Sequence, residues 1–168
     1  LGDVVHAMPA VQDILHAVPG ASVDWVVERG FAPLVTRCAG VRRTIPCEIR
    51  RWRKSLLAAQ TRAGWSEFRA ALQAEAYDAI IDLQGLTKSA LVSRVARLAP
   101  GGRRFALGNQ TEGSSYERPT RWAADVAVRV EPRIHAVQRS RELCARALGY
   151  SIPPGVIYGL TPDSPARG

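Results

Sequence analysis

The stretch Tyr77-Asp78-Ala79-Ile80-Ile81-Asp82-Leu83-Gln84-Gly85-Leu86-Thr87-Lys88-Ser89 decides the fold. Its apolar centre, Ala79-Ile80-Ile81 between Asp78 and Asp82, predicts a strand over 77–83 that is buried on both faces. Gly85 then permits a tight turn. Beyond it Leu91, Val92, Val95 and Leu98 recur on one helical face through 86–98, and Pro100-Gly101-Gly102 ends the pattern. Strand, glycine turn and helix in direct succession form the repeating unit of a parallel α/β sheet, which holds ligands beyond the carboxyl ends of its strands. Asp82, Thr87 and Lys88 are therefore expected either to face a ligand, with the helix N-terminus drawing an anion, or to bond within the turn. The Gly-x-x-x-x-Gly-Lys-[Ser/Thr] motif is absent, which excludes a Walker phosphate loop.

The same alternation runs outward in both directions. Upstream, Val4, Val5, Met8, Val11, Ile14, Leu15 and Val18 keep a three-four spacing that predicts a helix over 1–18, stopped by Pro19-Gly20. Pro9 inside it predicts either a kink or a helix that starts near Met8. Val23 to Val27 reads as a strand, Phe31 to Cys38 as a short helix, and Arg43 to Ile45 as a short strand. Trp65, Phe68, Leu72 and Ala76 are spaced as a helix. Downstream, Arg103 to Leu107 reads as a strand and Gly108 to Arg118 as a loop. Arg133 to Leu148 reads as a helix with Val137, Leu143, Cys144, Ala147 and Leu148 inward and Gly149 as its cap. The pattern predicts a Rossmann-like doubly wound parallel α/β sheet over 1–150, with 151–168 a linker or frayed tail. It lacks the central first strand of that fold, so roughly ten residues are expected to be missing before Leu1 and a gap to be left in the sheet.

With 168 residues the chain fits one domain, and 46% hydrophobic with 23% charged residues is incompatible with a disordered polymer. No apolar run approaches the ~18 residues of a spanning helix. The net charge of +8 implies an anionic partner: nucleic acid, phosphate or a membrane surface. Of 23 basic residues only Lys54 and Lys88 are lysines, a bias that fits fork-shaped anion recognition and equally fits GC-rich coding. Cys38, Cys47 and Cys144 show no Cys-x-x-Cys spacing, which fits a reducing compartment better than a disulfide scaffold or structural zinc. No secretory signal pattern is present, so the reading is cytoplasmic.

Three further groups can carry chemistry. Asp3, after Gly2 and at a helix start, either caps the helix or sits at the active edge of the sheet. Ile49-Arg50-Arg51-Trp52-Arg53-Lys54, with Arg42 and Arg43 upstream, either holds phosphates and carboxylates while Trp52 packs on a sugar, base or acyl chain, or is a solvated face. His135 opens the last helix, as a cap or as a ligand contact. No nucleophilic triad, dinucleotide fingerprint or deaminase motif assembles.

Five co-linear segments, beginning at Leu1, Val23, Ile49, Tyr77 and His135 and together spanning residues 1 to about 150, resemble the lipopolysaccharide heptosyltransferase I enzymes of glycosyltransferase family 9. The resemblance implies the N-terminal, acceptor-binding half of a GT-B glycosyltransferase, inverting and metal-independent. Its reaction transfers L-glycero-D-manno-heptose from ADP-heptose to Kdo of Kdo2-lipid A. It implies Asp3 as the catalytic base, Arg50, Arg51, Arg53 and Lys54 as the segment that binds Kdo carboxylates and lipid A phosphates, and His135 and Arg118 on the acceptor side. No cofactor is implied, since ADP-heptose is a substrate, and the location implied is peripheral, on the cytoplasmic face of the inner membrane. The family's donor-binding C-terminal domain has no counterpart after Leu160. Without that half nothing holds ADP-heptose, so the chain alone is expected to be inactive; the segment between Gly102 and Pro132, which contains Arg118, and the Pro-rich tail depart from the family pattern. A heptosyltransferase II-like enzyme and a non-enzymatic basic nucleic-acid-binding α/β module are the alternatives, with nucleic acid not expected as a partner.

Overall fold

The computed structural model describes residues 1–114 and 116–162. Helix α1 (Gly2–Ala17) leads into β1 (Val23–Glu28), a single 3-10 turn and the short α2 (Ala32–Val35), then β2 (Val41–Cys47) and α3 (Ile49–Trp52). The helix α4 (Ala59–Gln73), strand β3 (Ala76–Asp82), helix α5 (Thr87–Val95) and strand β4 (Arg97–Leu107) follow. A 3-10 segment (Arg118–Ala123), β5 (Val126–Val128) and α6 (Ala136–Leu148) close the succession. Every strand pair is parallel, as the alternation of strands and helices requires. The strands form two sets, β1-β2 and β3-β4-β5, with no pairing between them among the described residues.

Alternate strand residues serve the two faces. Val26 and Ile80 pack on the cluster of Ile45, Cys47, Ile49, Trp52, Phe68 and Leu72 beneath α3, α4 and α5. On the opposite face Val27 joins Val4, Met8 and Val11 of α1, and Ile81 joins Ala10, Ile14 and Cys144 between α1 and α6. Helices therefore cover both sides, which is the doubly wound arrangement. Ala79, Ile80 and Ile81 do reach both layers, but they are only half-buried instead of sealed, because β3 is an edge of the divided sheet.

Several elements depart from their expected bounds. Pro9 lies inside an uninterrupted α1, so the start near Met8 does not hold; burial of Val4, Ala7, Met8, Val11 and Ile14 fixes the whole length against the sheet and α6. Ala76 belongs to β3 and Leu98 to β4, while Leu91 is half-exposed instead of inward. Pro100-Gly101-Gly102 does not end a helix. It forms a bulge within β4, between the pairs Tyr77–Leu98 and Ala79–Arg103. Gly101 there adopts φ 78°, and a Cβ on Gly102 would stand 2.6 Å from the Tyr77 carbonyl, so the crossing admits only glycine.

α1 and α6 lie side by side and run the same way. His6 meets His135 edge-to-face at 5.8 Å, and farther along Arg141 bonds both oxygens of Asp13, at 2.6 and 3.0 Å, in a buried pair. The stretch 151–162 is not frayed. Arg141 donates to the Pro153 carbonyl, Leu160 bridges to Cys38 antiparallel, and the Thr161 N–H donates to the Arg37 carbonyl. Pro165, Ala166, Arg167 and Gly168 of the expected tail fall outside the described residues.

Candidate active site

Asp3, the 49–54 segment, the 82–89 turn and His135 all lie on the side of the sheet reached by the carboxyl ends of the strands. Parallel strands send every following loop to that side, and the N-termini of the next helices open onto it. Asp3, in the first turn of α1, is exposed. His135 is the N-cap of α6, its Nδ1 accepting the Val137 N–H at 3.4 Å, and its ring stays exposed beside His6. The cap reading of His135 is thus met, on a side chain that stays exposed.

The basic segment follows β2 directly. Glu48 accepts from Arg51 at 3.2 Å and pairs with Arg29 at 3.4 Å, while Arg50, Arg53 and Lys54 are exposed and make no ion pair among the described residues. Trp52, expected to meet a ligand, is 7% exposed. It is packed edge-on against Trp65 at 5.7 Å and tilted against Phe68 at 5.5 Å, because the single turn of α3 directs Arg50 and Arg51 outward while its other face, Ile49 and Trp52, is apolar and buried. Arg42 and Arg43 do not belong to this group. They project at the amino-terminal edge, where Arg42 forks both oxygens of Asp24 at 2.8 Å and Arg43 reaches the same carboxylate at 3.0 Å.

The turn between β3 and α5 is internally satisfied. Asp82 accepts from the Gln84 N–H at 2.9 Å, the Gly85 N–H at 3.2 Å and the Ser89 hydroxyl at 2.9 Å; burial still pushes its carboxyl up against those bonds. The Thr87 N–H and hydroxyl both donate to Glu117, and these bonds hold that carboxyl below its usual range. The α5 N-terminus is therefore already filled by a side chain of the following loop and is not an open anion seat. Lys88 and Arg53 both act electrostatically on Glu117, so the basic segment and the loop after β4 are neighbours. Arg118 is exposed and, with Arg121 and Arg129, lines a polar groove of about 370 Å³ floored by Gly108, Asn109 and Gln110.

One residue escapes sequence reading. Arg139, one turn along α6 from His135, is 9% exposed; its Nη1 donates to Thr111 at 3.1 Å and its Nε has no partner among the described residues. Burial pushes the guanidinium down, opposed by the charge of Asp3. Helical side chains lean toward the N-terminus, so Arg139 leans toward the end where Asp3 and His135 lie. Among the described residues no three potential metal ligands cluster.

Residues 65–164 match the family model described as glycosyltransferase family 9 (heptosyltransferase). The chain belongs to glycosyltransferase family 9. It is 45% identical over 154 residues to lipopolysaccharide heptosyltransferase 1 of Escherichia coli, an alignment covering 91% of this chain and 46% of that protein. It is 40% identical over 167 residues to lipopolysaccharide heptosyltransferase 1 of Pseudomonas aeruginosa, covering 95% and 44%. The solved E. coli heptosyltransferase WaaC with ADP superposes with a TM-score of 0.84 at 41% identity, covering 94% of this chain and 48% of that one. WaaC with ADP-2-deoxy-2-fluoro heptose gives 0.81. This family 9 chain spans about half the length of the relatives it matches, and its fold is that of a GT-B heptosyltransferase half.

Proposed function

We propose that this chain is the acceptor-binding half of an inverting, metal-independent heptosyltransferase I. The complete enzyme moves L-glycero-D-manno-heptose from ADP-heptose to a Kdo sugar of Kdo2-lipid A, in the inner core of lipopolysaccharide. Support comes from the family 9 match, from relatives named lipopolysaccharide heptosyltransferase 1, and from the ADP and ADP-sugar analogue bound by solved relatives of the same fold. The observation that carries the reading is the exposed carboxylate of Asp3 on the same side of the sheet as Arg50, Arg51, Arg53 and Lys54. An acceptor rich in carboxylates and phosphates meets paired guanidinium forks there, which fix its orientation as well as its affinity.

In this reading Asp3 takes the proton of the acceptor hydroxyl while that oxygen attacks the anomeric carbon on the face opposite the departing ADP. His135, Arg118 and the arginine-lined groove flank the acceptor. The donor is a substrate and no cofactor takes part. The enzyme works as a peripheral protein on the cytoplasmic face of the inner membrane; no helix among the described residues is long and apolar enough to cross one.

Titration of the chain with Kdo2-lipid A and with random RNA, at two salt concentrations, tests the reading. Saturable lipid A binding weakened about a hundredfold by Arg50→Ala/Arg51→Ala/Arg53→Ala is the expected result. Equal binding to both ligands that salt erases would transfer the segment to the nucleic-acid reading. In the complete enzyme Asp3→Ala should lower kcat by about 10²–10⁴-fold with little change in acceptor Kd, and a variant that keeps its rate would remove Asp3 from the base role. The isolated chain should release no ADP from ADP-heptose in the presence of acceptor.

A further inference from the structure

The turn from Ser55 to Ala58, between α3 and α4, is exposed at every residue, as are Ala59 and Gln60 at the start of α4, and together they hold the unbroken apolar run Leu56-Leu57-Ala58-Ala59. Leu56 is 68% and Leu57 88% exposed, so nothing among the described residues covers them. Single exposed leucines need no explanation, but two adjacent ones at the crest of a turn do. The crest is not a loose loop. The Ser55 N–H donates to the Trp52 carbonyl at 3.2 Å and the Ala58 N–H to the Ser55 carbonyl at 3.1 Å. Its base is the buried Trp52, locked against Trp65 and Phe68 and lying so close over Gly64 that a Cβ there would stand 3.0 Å from the indole nitrogen. Arg50, Arg51, Arg53 and Lys54, the residues on either side of Trp52 in sequence, are exposed cations.

The order from the body outward is buried aromatic anchor, collar of cations, apolar crest. An anionic bilayer presents the complementary order, with negative headgroups outside and hydrocarbon beneath. A rigid acidic protein surface would pair the collar but would need a preformed apolar socket for a convex crest, whereas lipid flows around it. We infer that Leu56 and Leu57 form a wedge that inserts into the headgroup boundary of an anionic membrane while the basic collar binds the surrounding lipid phosphates. This rests on the reading of the acceptor as membrane-embedded and adds the anchor that brings the basic segment to its depth.

The test is co-sedimentation of the chain with two kinds of vesicle lacking Kdo2-lipid A, pure phosphatidylcholine and phosphatidylcholine with about one third phosphatidylglycerol. The proteins are wild type, Leu56→Ser/Leu57→Ser and Arg50→Ala/Arg51→Ala/Arg53→Ala, with coincident circular-dichroism melts as the check on folding. Binding to anionic vesicles should fall about tenfold or more in the serine variant, and in the alanine variant should lose most of its salt dependence. Serine variants that bind as wild type, or wild type that binds neutral and anionic vesicles alike, would overturn the wedge. Kdo2-lipid A stripped of its acyl chains separates this from the parent reading. The serine variant should bind that soluble acceptor as wild type does. Wild type that binds vesicles but not the stripped acceptor would sink the acceptor reading and leave the wedge standing. Wild type that binds the stripped acceptor but no vesicle would do the reverse.

Discussion

The two edges of the sheet carry the same residue type and treat it oppositely. At the amino-terminal edge Asp24, whose side chain is 2% exposed, gathers Arg42, Arg43 and the Tyr77 hydroxyl onto one carboxylate, tying β1, β2 and β3 together. At the carboxyl-terminal edge Arg50, Arg53 and Lys54 face solvent with no ion pair among the described residues, and Arg118 lines an open groove. The arginine bias is therefore not one signal. Part of it holds the fold together where an acid waits in the next strand, and part of it is left available where function is proposed.

The contrast is sharpest for the most buried pair. Arg141→Ala strands Asp13 between α1 and α6 and removes the hold on the Pro153 carbonyl, and should lower unfolding free energy by about 3–5 kcal/mol in a urea titration. A smaller loss would mean that water reaches the pair. The amino edge should also register pH. Burial raises the Asp24 carboxyl, but Arg42, Tyr77 and Arg43 outweigh it and hold it at about 2, below its ordinary 3.8. A depressed acid stabilises the fold above its unfolded value and loses that contribution as pH falls toward its folded one. Wild type should therefore lose about 2 kcal/mol between pH 5 and pH 2 that Asp24→Asn, already weaker at neutral pH, does not lose. Equal acid profiles would separate Asp24 from this role. The carboxyl edge should barely respond: Arg50→Ala/Arg51→Ala/Arg53→Ala should change stability by less than about 1 kcal/mol, since exposed pairs contribute little. A large change would make that edge structural too.

What was legible in the sequence was whatever depends on near neighbours. The run from Ala79 to Ile81, Gly85 and the helical spacing after it gave the parallel α/β plan, and four cations within six residues drew notice without any knowledge of the fold. Strand β5 escaped because Val126-Ala127-Val128 is three residues long and has no alternation to read. The first turns of α4 escaped because Ala59-Gln60-Thr61 carries no apolar period. Pro100-Gly101-Gly102 was misread because proline and glycine end helices and also make bulges, and only the β3 partner decides between them. In the site, the same dependence on distant partners hid Arg139, whose hydrogen-bond partner Thr111 lies 28 residues away, and misassigned Arg42 and Arg43, whose fate is set by Asp24 and Tyr77.

The first helix finds its lateral partner in the last one, and the contacts of Arg141 with Asp13 and of Thr161 with Arg37 span sequence separations of 128 and 124 residues. Loops that long close late, after the local strand–helix units have formed. As the chain leaves the ribosome, Val4, Met8 and Val11 of α1 can pack early on β1 and α2, but Ala10 and Ile14 must wait uncovered for β3 and α6. Of the two faces of α1, the one turned to α6 is the one a nascent-chain chaperone would hold longest.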